Sequence, residues 1–288
     1  MIEIKKEFDK PQVSWTGRFL YYFLPYKKKV VVKNIELVFQ RTLNHKEKKR
    51  MAMAYYSHLV RSFKEIILFP FMQKRLQEQF EMHGVEHLIT AIEKQKGVLL
   101  LCTHLGNCEI GPLISFPKLK ILNSQIHCIR KALKIKWLEK ILFQRYQKGG
   151  VKIIPNKGAM HQVRKVLGAN GIIFFVMDQQ GRKNVRTKVM VDFFGHKTGS
   201  YRSLATLVRR TGAAVIPVAF YRLGKIKHIA EFYPEVEWQE YSDKNEAINH
   251  NTQIYNEVLE KIIMRRPEQW IWPYKRWNYK NLKNSHGT

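Results

Sequence analysis

Short apolar runs without a polar face, set apart by helical segments, constrain this chain more than any other feature. Gly97–Thr103 reads G-V-L-L-L-C-T and Gly171–Met177 reads G-I-I-F-F-V-M. A strand that is apolar on both sides has to be covered on both sides, and helices are the usual cover. Similar runs occur at Gln125–Arg130, Val151–Ile154, Ala214–Tyr221 and Ile229–Tyr233. Between them, Asn107–Ile114, Lys134–Gln147, Ala159–Leu167 and Ser200–Arg210 read as helices, and Thr252–Met264 as a last one. The alternation predicts an α/β fold with a mostly parallel central sheet flanked by helices.

Residues 31–80 have a different texture and read as a helical N-terminal region. Asn44 with Glu47 three residues later has the form of a capping box. Apolar residues from Met51 to Ile67 then recur at helical spacing, and Pro70 is expected to end that helix. The predicted division is a helical, membrane-associating region over 1–82 and an α/β core over 83–288, packed as one structural unit.

Trp15–Tyr26, W-T-G-R-F-L-Y-Y-F-L-P-Y, is followed at once by Lys27, Lys28 and Lys29. A spanning helix needs about 20 apolar residues, so this segment is too short to cross a bilayer. Rings beside lysines suit the headgroup boundary; an amphipathic helix packed on the domain is the other reading. With 51 Lys and Arg against 23 Asp and Glu, the net charge of +28 calls for a polyanionic partner. An anionic membrane surface, an acidic protein and nucleic acid all answer to such a field. The basic residues are spread along the chain and no helix-turn-helix, zinc-finger or RNA-binding signature occurs. A basic nucleic-acid-binding protein is therefore the non-enzyme alternative, and no nucleic-acid partner is expected. Cys102, Cys108 and Cys128 have no metal-ligand spacing and read as reduced thiols.

The chemistry is expected where the Gly97–Thr103 strand ends. His104 then sits at the carboxyl end of a strand, where open α/β sheets bind ligands. Gly106 permits a tight exit, Asn107 reads as a helix N-cap, and Glu109 falls in the first turn, able to reach back to the imidazole. A carboxylate on one ring nitrogen fixes the tautomer and stabilises the imidazolium formed when the other nitrogen takes a proton. The substrate's own hydroxyl can then be the nucleophile. By spacing alone, His104 could equally just terminate a strand and Glu109 just favour a helix N-terminus.

His104 and Glu109 in this context resemble the H-x4-D/E motif of glycerolipid and lysophospholipid acyltransferases. The form H-L-G-N-C-E, with other segments in order, is similar to the bacterial lipid A late acyltransferase family, the lauroyl/myristoyl transferases. Those segments are V-V-K-N-I-E-L-V-F at 31–39, Met177-Asp178-Gln179-Gln180, Phe193-Phe194-Gly195 with Ala205, T-G-A-A-V-I-P-V at 211–218, and Pro267-Glu268-Gln269-Trp270-Ile271-Trp272. The resemblance covers roughly residues 15–278. It implies a glycerol-3-phosphate-acyltransferase-like fold, His104 as general base and Glu109 as its partner, with no metal or redox cofactor. It also implies an arginine for substrate phosphate, falling on Arg145 or else Arg130, and a rim aspartate at Asp178. Asn107 and Phe194 join the expected substrate contacts, with Phe193 and Phe194 as acyl-chain lining; the sequence does not identify the oxyanion donors, for which backbone N–H groups near Leu105–Asn107 are the candidates. The implied donor is acyl carrier protein, with acyl-CoA as alternative, and the implied acceptor a lipid A precursor or related glycolipid, with an aminolipid or lysophospholipid as alternative. The implied place is the cytoplasmic face of the bacterial inner membrane, here as a peripheral protein without a transmembrane helix. The tail, with Trp270, Trp272, Trp277 and Lys275-Arg276, is a further candidate for interface contact.

Overall fold

A computed structural model of the protein describes residues 11–24, 26–119, 126–132, 136–180, 188–224 and 226–279. Among the described residues nine strands are formed: β1 Phe80–His83, β2 Val98–Cys102, β3 Ile126–Arg130, β4 Val151–Pro155, β5 Ile172–Val176, β6 Lys188–Phe193, β7 His196–Tyr201, β8 Ala214–Arg222 and β9 His228–Phe232. Seven of them make one sheet in the order β1-β9-β8-β2-β5-β3-β4, parallel throughout except for the β8–β9 pair. This is the predicted α/β architecture. The helices are α1 Trp15–Phe23, α2 Lys28–Val38, α3 His45–Glu78, α4 Val85–Glu93, α5 Gly111–Lys118, α6 Lys136–Lys148, α7 Ala159–Gly168, α8 Ser203–Thr211 and α9 Lys244–Arg265.

Side-chain alternation divides the core into two halves. Leu99, Leu101, Ile173, Phe175 and Val215 face one way, toward Val31, Ile35, Tyr55, Tyr255 and Trp270. Val98, Leu100, Ile172, Phe174 and Ile216 face the other, toward Leu76, Leu88, Ile114 and Phe116. Because β2 lies between β5 and β8 and all five of its residues are buried, its end is held by a neighbouring strand on each side. The N-terminal helices share the first of these cores. Gly17 of α1 sits so close to α3 that a Cβ there would overlap the Ser57 hydroxyl.

The elements that sequence reading missed are short or lie outside the main sheet. β1 is four residues long and lies at the sheet edge, β6 and β7 are a separate hairpin, and α4 is a nine-residue helix. The helix expected from Asn107 starts only at Gly111, and residues 108–110 form a turn before it.

Pro70 does not end α3, which keeps its capping box at Asn44 and Glu47 and continues to Glu78. A proline inside a helix frees the carbonyl four residues earlier, because its nitrogen carries no hydrogen. Here that carbonyl belongs to Ile66, and the Arg145 Nη1–H donates to it at 2.7 Å. The same guanidinium lies over the Phe69 ring, 5.9 Å from its centroid. The helix therefore survives its proline because a residue 79 positions away supplies the missing donor. Arg145→Met is expected to destabilise the protein by about 1 kcal/mol in urea unfolding, the cost of losing the bond to a half-buried acceptor. Pro70→Ala, which restores a backbone donor, should recover much of that loss in the double variant and so reveal the coupling.

Candidate active site

Cys102 of β2 pairs with Val176 of β5 in parallel register. Two residues beyond each of these partners stand His104 and Asp178, so the sheet itself sets them side by side. The His104 Nδ1 is 2.7 Å from Asp178 Oδ1. The second carboxylate oxygen, Oδ2, accepts three bonds: from Thr103 Oγ1 at 2.7 Å, the His104 backbone N–H at 2.9 Å and Trp270 Nε1 at 2.9 Å. Asp178 is wholly buried, whereas the His104 side chain keeps 26% of its exposure.

The electrostatics of the pair follow from those contacts. Burial works to raise the Asp178 pKa, but the His104 charge and the four hydrogen bonds outweigh it and hold the carboxyl far below the usual range. For His104, burial works downward; the Asp178 charge and hydrogen bond, with a smaller contribution from Glu109, override it and raise the imidazole above its ordinary value. An ionised Asp178 accepts and cannot donate, so Nδ1 carries the proton and Nε2 is the free base. Among the described residues nothing is bonded to Nε2.

The expected partner, Glu109, is elsewhere. It lies in the 108–110 turn rather than in a helix, and its Oε2 accepts from the Tyr146 hydroxyl at 2.7 Å. Its influence on His104 is through space. Both residues line a cleft of about 120 Å³ with Arg130, Tyr146, Ile129 and Phe174. Arg130 faces this cleft and is ion-paired with Glu139 at 3.4 Å. Arg145, the arginine favoured by its place in the sequence, instead satisfies the Ile66 carbonyl.

Three other expectations are corrected by the packing. Asn107 is no N-cap; its amide donates to Glu65 Oε2 at 2.8 Å inside a buried cluster. The Leu105 and Gly106 backbone N–H groups are committed to the carbonyls of Thr103 and Gln269, so of the three proposed oxyanion donors they are excluded. Phe194 is not in the cleft. Phe194 (φ 52°) and Gly195 (φ 73°) form the two-residue turn between β6 and β7, whose positive φ angles match a type I′ hairpin. Phe193 and Phe194 pack on Trp270 and Trp277 instead.

The tail, too, is interior rather than interfacial. Trp270, Trp272, Arg276 and Trp277 are all buried. Burial lowers the Arg276 guanidinium to about 10, against smaller opposing pulls from Asp178, Tyr274 and Glu260. This segment clamps the loop that carries His104: Gly106 N–H donates to Gln269 O, Ile271 N–H to His104 O, and Trp270 holds Asp178. Asn34 of α2 in turn donates to the carbonyls of Trp272 and Tyr274, both at 2.8 Å. Gly106 (φ 65°) is required, since a Cβ would overlap the Phe220 carbonyl oxygen. The separated sequence motifs thus meet around one carboxylate.

The sequence profile of the bacterial lipid A biosynthesis acyltransferases matches residues 9–279. The chain belongs to that family. Among its relatives, the lipid A biosynthesis palmitoleoyltransferase of Escherichia coli is 22% identical over 275 residues, covering 91% of this chain and 82% of that one. The lauroyltransferase of the same organism is 22% identical over 267 residues, 90% of this chain and 82% of that one. A phosphatidylinositol mannoside acyltransferase of Mycolicibacterium smegmatis is 26% identical over 174 residues, 59% of this chain and 54% of that one. A 1-acyl-sn-glycerophosphate acyltransferase structure from Thermotoga maritima covers 84% of this chain and 94% of that one, with a TM-score of 0.37 and 14% identity. That likeness is too weak to bear on the site.

Asp178→Asn removes the charge that holds His104 up while keeping its volume. The His104 titration followed by NMR should therefore move to lower pH than in the parent. A raised histidine stabilises the fold fully below its ordinary pKa of about 6.5 and loses that contribution as pH climbs through the raised value. Urea unfolding should accordingly show the stability gap between parent and variant narrowing from pH 6 toward pH 9.

Proposed function

We propose that this chain transfers a fatty acyl group from a thioester to a hydroxyl of a membrane lipid, with His104 as the general base and Asp178 as the residue that orients it. One observation carries the reading: the buried carboxylate on Nδ1 leaves Nε2 as an unoccupied base on a cleft wall. Nε2 takes the acceptor's hydroxyl proton as its oxygen attacks the thioester carbonyl, forming the new C–O bond. The tetrahedral intermediate collapses, the C–S bond breaks, and the departing thiolate takes the proton back from His104. Asp178 stabilises the imidazolium between these steps, and Glu109 adds a second negative charge within the cleft.

The cleft thiols are poor competitors for the nucleophile's role. Burial pushes Cys128 up to about 12 and raises Cys102 and Cys108 well above the ordinary range, so they stay protonated at neutral pH. This supports direct attack by the acceptor hydroxyl over an acyl-enzyme.

The acceptor we favour is a lipid A precursor or related glycolipid, after the names of the family and of the E. coli relatives; an aminolipid or lysophospholipid is the second choice. Acyl carrier protein is the favoured donor, since an acidic carrier suits a chain of net charge +28. Among the described residues no helix is long and apolar enough to cross a membrane. Approach to lipid is supported by two exposed apolar stripes. Trp15, Phe19, Tyr22 and Phe23 recur along α1, and Phe63, Ile67 and Phe71 recur every fourth residue along α3. Shallow insertion of such rings beside Lys27–Lys29 describes a peripheral protein, which we assign to the cytoplasmic face of the inner membrane.

With acyl carrier thioester and candidate lipid acceptors, His104→Ala is expected to lower kcat roughly 10²–10⁴-fold. Parent-like transfer by that variant overturns the mechanism. Asp178→Asn should cost more in kcat than Glu109→Gln, and Cys108→Ala with Cys128→Ala should retain activity. For the membrane stripe, Trp15→Ser with Phe19→Ser and Phe23→Ser should reduce sedimentation with anionic vesicles at about 150 mM salt, where non-specific DNA binding is already weak. Retention on DNA without any vesicle binding favours the nucleic-acid alternative.

A further inference from the structure

The positive charge of the chain is unevenly placed. Between Ile110 and Met177 the sequence has thirteen Lys and Arg and a single acid, Glu139, which is ion-paired with Arg130 at 3.4 Å. The described part of this stretch forms α5, β3, α6, β4, α7 and β5, and so includes the β3–β4 end of the sheet with α6 packed on β4. At the opposite end, by β1 and β9, the bases have partners: Lys227 meets Glu81, Arg265 meets Glu231 and Lys94 meets Glu235. Unmatched like charges repel one another, so the β3–β4 end gains from an anionic partner.

Helix α6 gives that charge a shape. Lys136, Lys140, Gln144 and Lys148 recur every fourth residue, about one turn apart, and all are exposed. The row is about 18 Å long at 1.5 Å per residue, and exposed Lys152 of β4 stands beyond its end. Among the described residues none of these lysines forms an ion pair. Positions 120–125 and 133–135, outside the described residues, add Lys120 and Lys134 to the sequence and no acid. The opposite side of α6 carries Tyr146, which is buried and lines the cleft of His104. The helix is thus the partition, about 10–12 Å thick, between the lysine row and the candidate active site.

Three kinds of partner answer to positive charge, and the row favours one. A lipid surface takes protruding rings such as Trp15 (78% exposed) and Phe71 (86%), whereas Ile141 (38%) and Phe143 (39%) beside the lysines are about half as exposed. Nucleic acid favours the planar forks of arginine and stacked rings, and the row contains only lysine. An acidic helix repeats its carboxylates at the same one-turn interval, and Ile141 and Phe143 give it apolar surface to pack on. We infer that the outer face of α6, with Lys152, is the docking surface for an acidic, helix-presenting protein that bears the acyl thioester. The identity of that partner rests on the acyl-transfer reading. A carrier seated there holds its thioester one helix width from the cleft, within reach of a flexible arm.

The test is binding of acyl carrier protein without an acyl group to the full chain, measured by titration calorimetry at several salt concentrations. Sedimentation with anionic vesicles and retention on duplex DNA are measured beside it. One variant combines Lys136→Glu, Lys140→Glu and Lys148→Glu. A control combines Lys29→Glu, Lys46→Glu and Arg50→Glu, which lie on α2 and α3 and change the net charge equally. All six side chains are exposed, so both variants should fold, and urea midpoints check that they do. The α6 variant is expected to bind the carrier at least about tenfold more weakly than the parent and with a shallower salt dependence, while the control keeps most of the affinity. Equal weakening in both variants reports net charge alone and overturns the surface. Parent-like carrier binding by the α6 variant, no carrier binding by the parent, or a loss confined to vesicles or DNA overturns it as well. Failure of the acyl-transfer reading shows separately, as a parent that binds the carrier yet transfers nothing from its thioester to lipid; the α6 dependence of binding still decides the surface.

Discussion

Everything at this site depends on one buried carboxylate. Asp178 is removed from solvent, so its charge has to be matched by hydrogen bonds and a cation or it could not remain ionised. Four donors meet it, from Thr103, the His104 backbone, the His104 ring and Trp270. Each comes at a structural requirement. Thr103 and His104 follow the central strand, Trp270 has to be brought in from the far end of the chain, and Phe193 and Trp277 have to pack that indole in place. The aromatic tail is thus support for an electrostatic contact rather than a surface feature. Removing a member of the set would leave a charge unmatched as well as a gap.

A second polar cluster stands behind the same loop. Glu65 of α3 meets Arg222, His228 and Asn107, all buried. Burial works to raise the Glu65 pKa, but those partners override it and bring the carboxyl down to about 2. The loop from His104 to Asn107 is therefore held on one side by Asp178 and on the other by Glu65. Two buried anions, each fully partnered, fix a segment that has little apolar side chain of its own apart from Leu105. Preorganisation of that sort is what a general base needs if its ring is to meet a substrate in one orientation.

Much of this was legible in the chain. The apolar runs located six of the seven strands of the main sheet, and the strand–turn context placed His104 at the end of the central one. Asp178 could be placed on the same rim from its position after a strand, yet its bond to His104 could not, because strand order is not written in local pattern. Two strands distant in sequence had to be known as neighbours before 102 and 176, and so 104 and 178, came into register. Glu109 was closer in sequence and took the role by proximity. Pro70 misled in a similar way: the local rule is sound, but a donor 79 residues beyond Ile66 satisfies the carbonyl that the proline frees. The edge strand β1 and the β6–β7 hairpin were missed for a different reason, being short or half-exposed and lacking the continuous apolar signal.

The clamp formed by residues 267–277 has a consequence for how the protein is made. Asn34 bonds to carbonyls 238 and 240 positions later, and Trp270 reaches back 92 positions to Asp178. Contacts this distant in sequence cannot form until nearly the whole chain has left the ribosome, and they slow folding once it has. The helices with their exposed aromatic stripes are synthesised first, while His104 still lacks the indole that helps hold Asp178 against it. The geometry around Asp178 is therefore completed late, only once residues 267–277 have joined the fold.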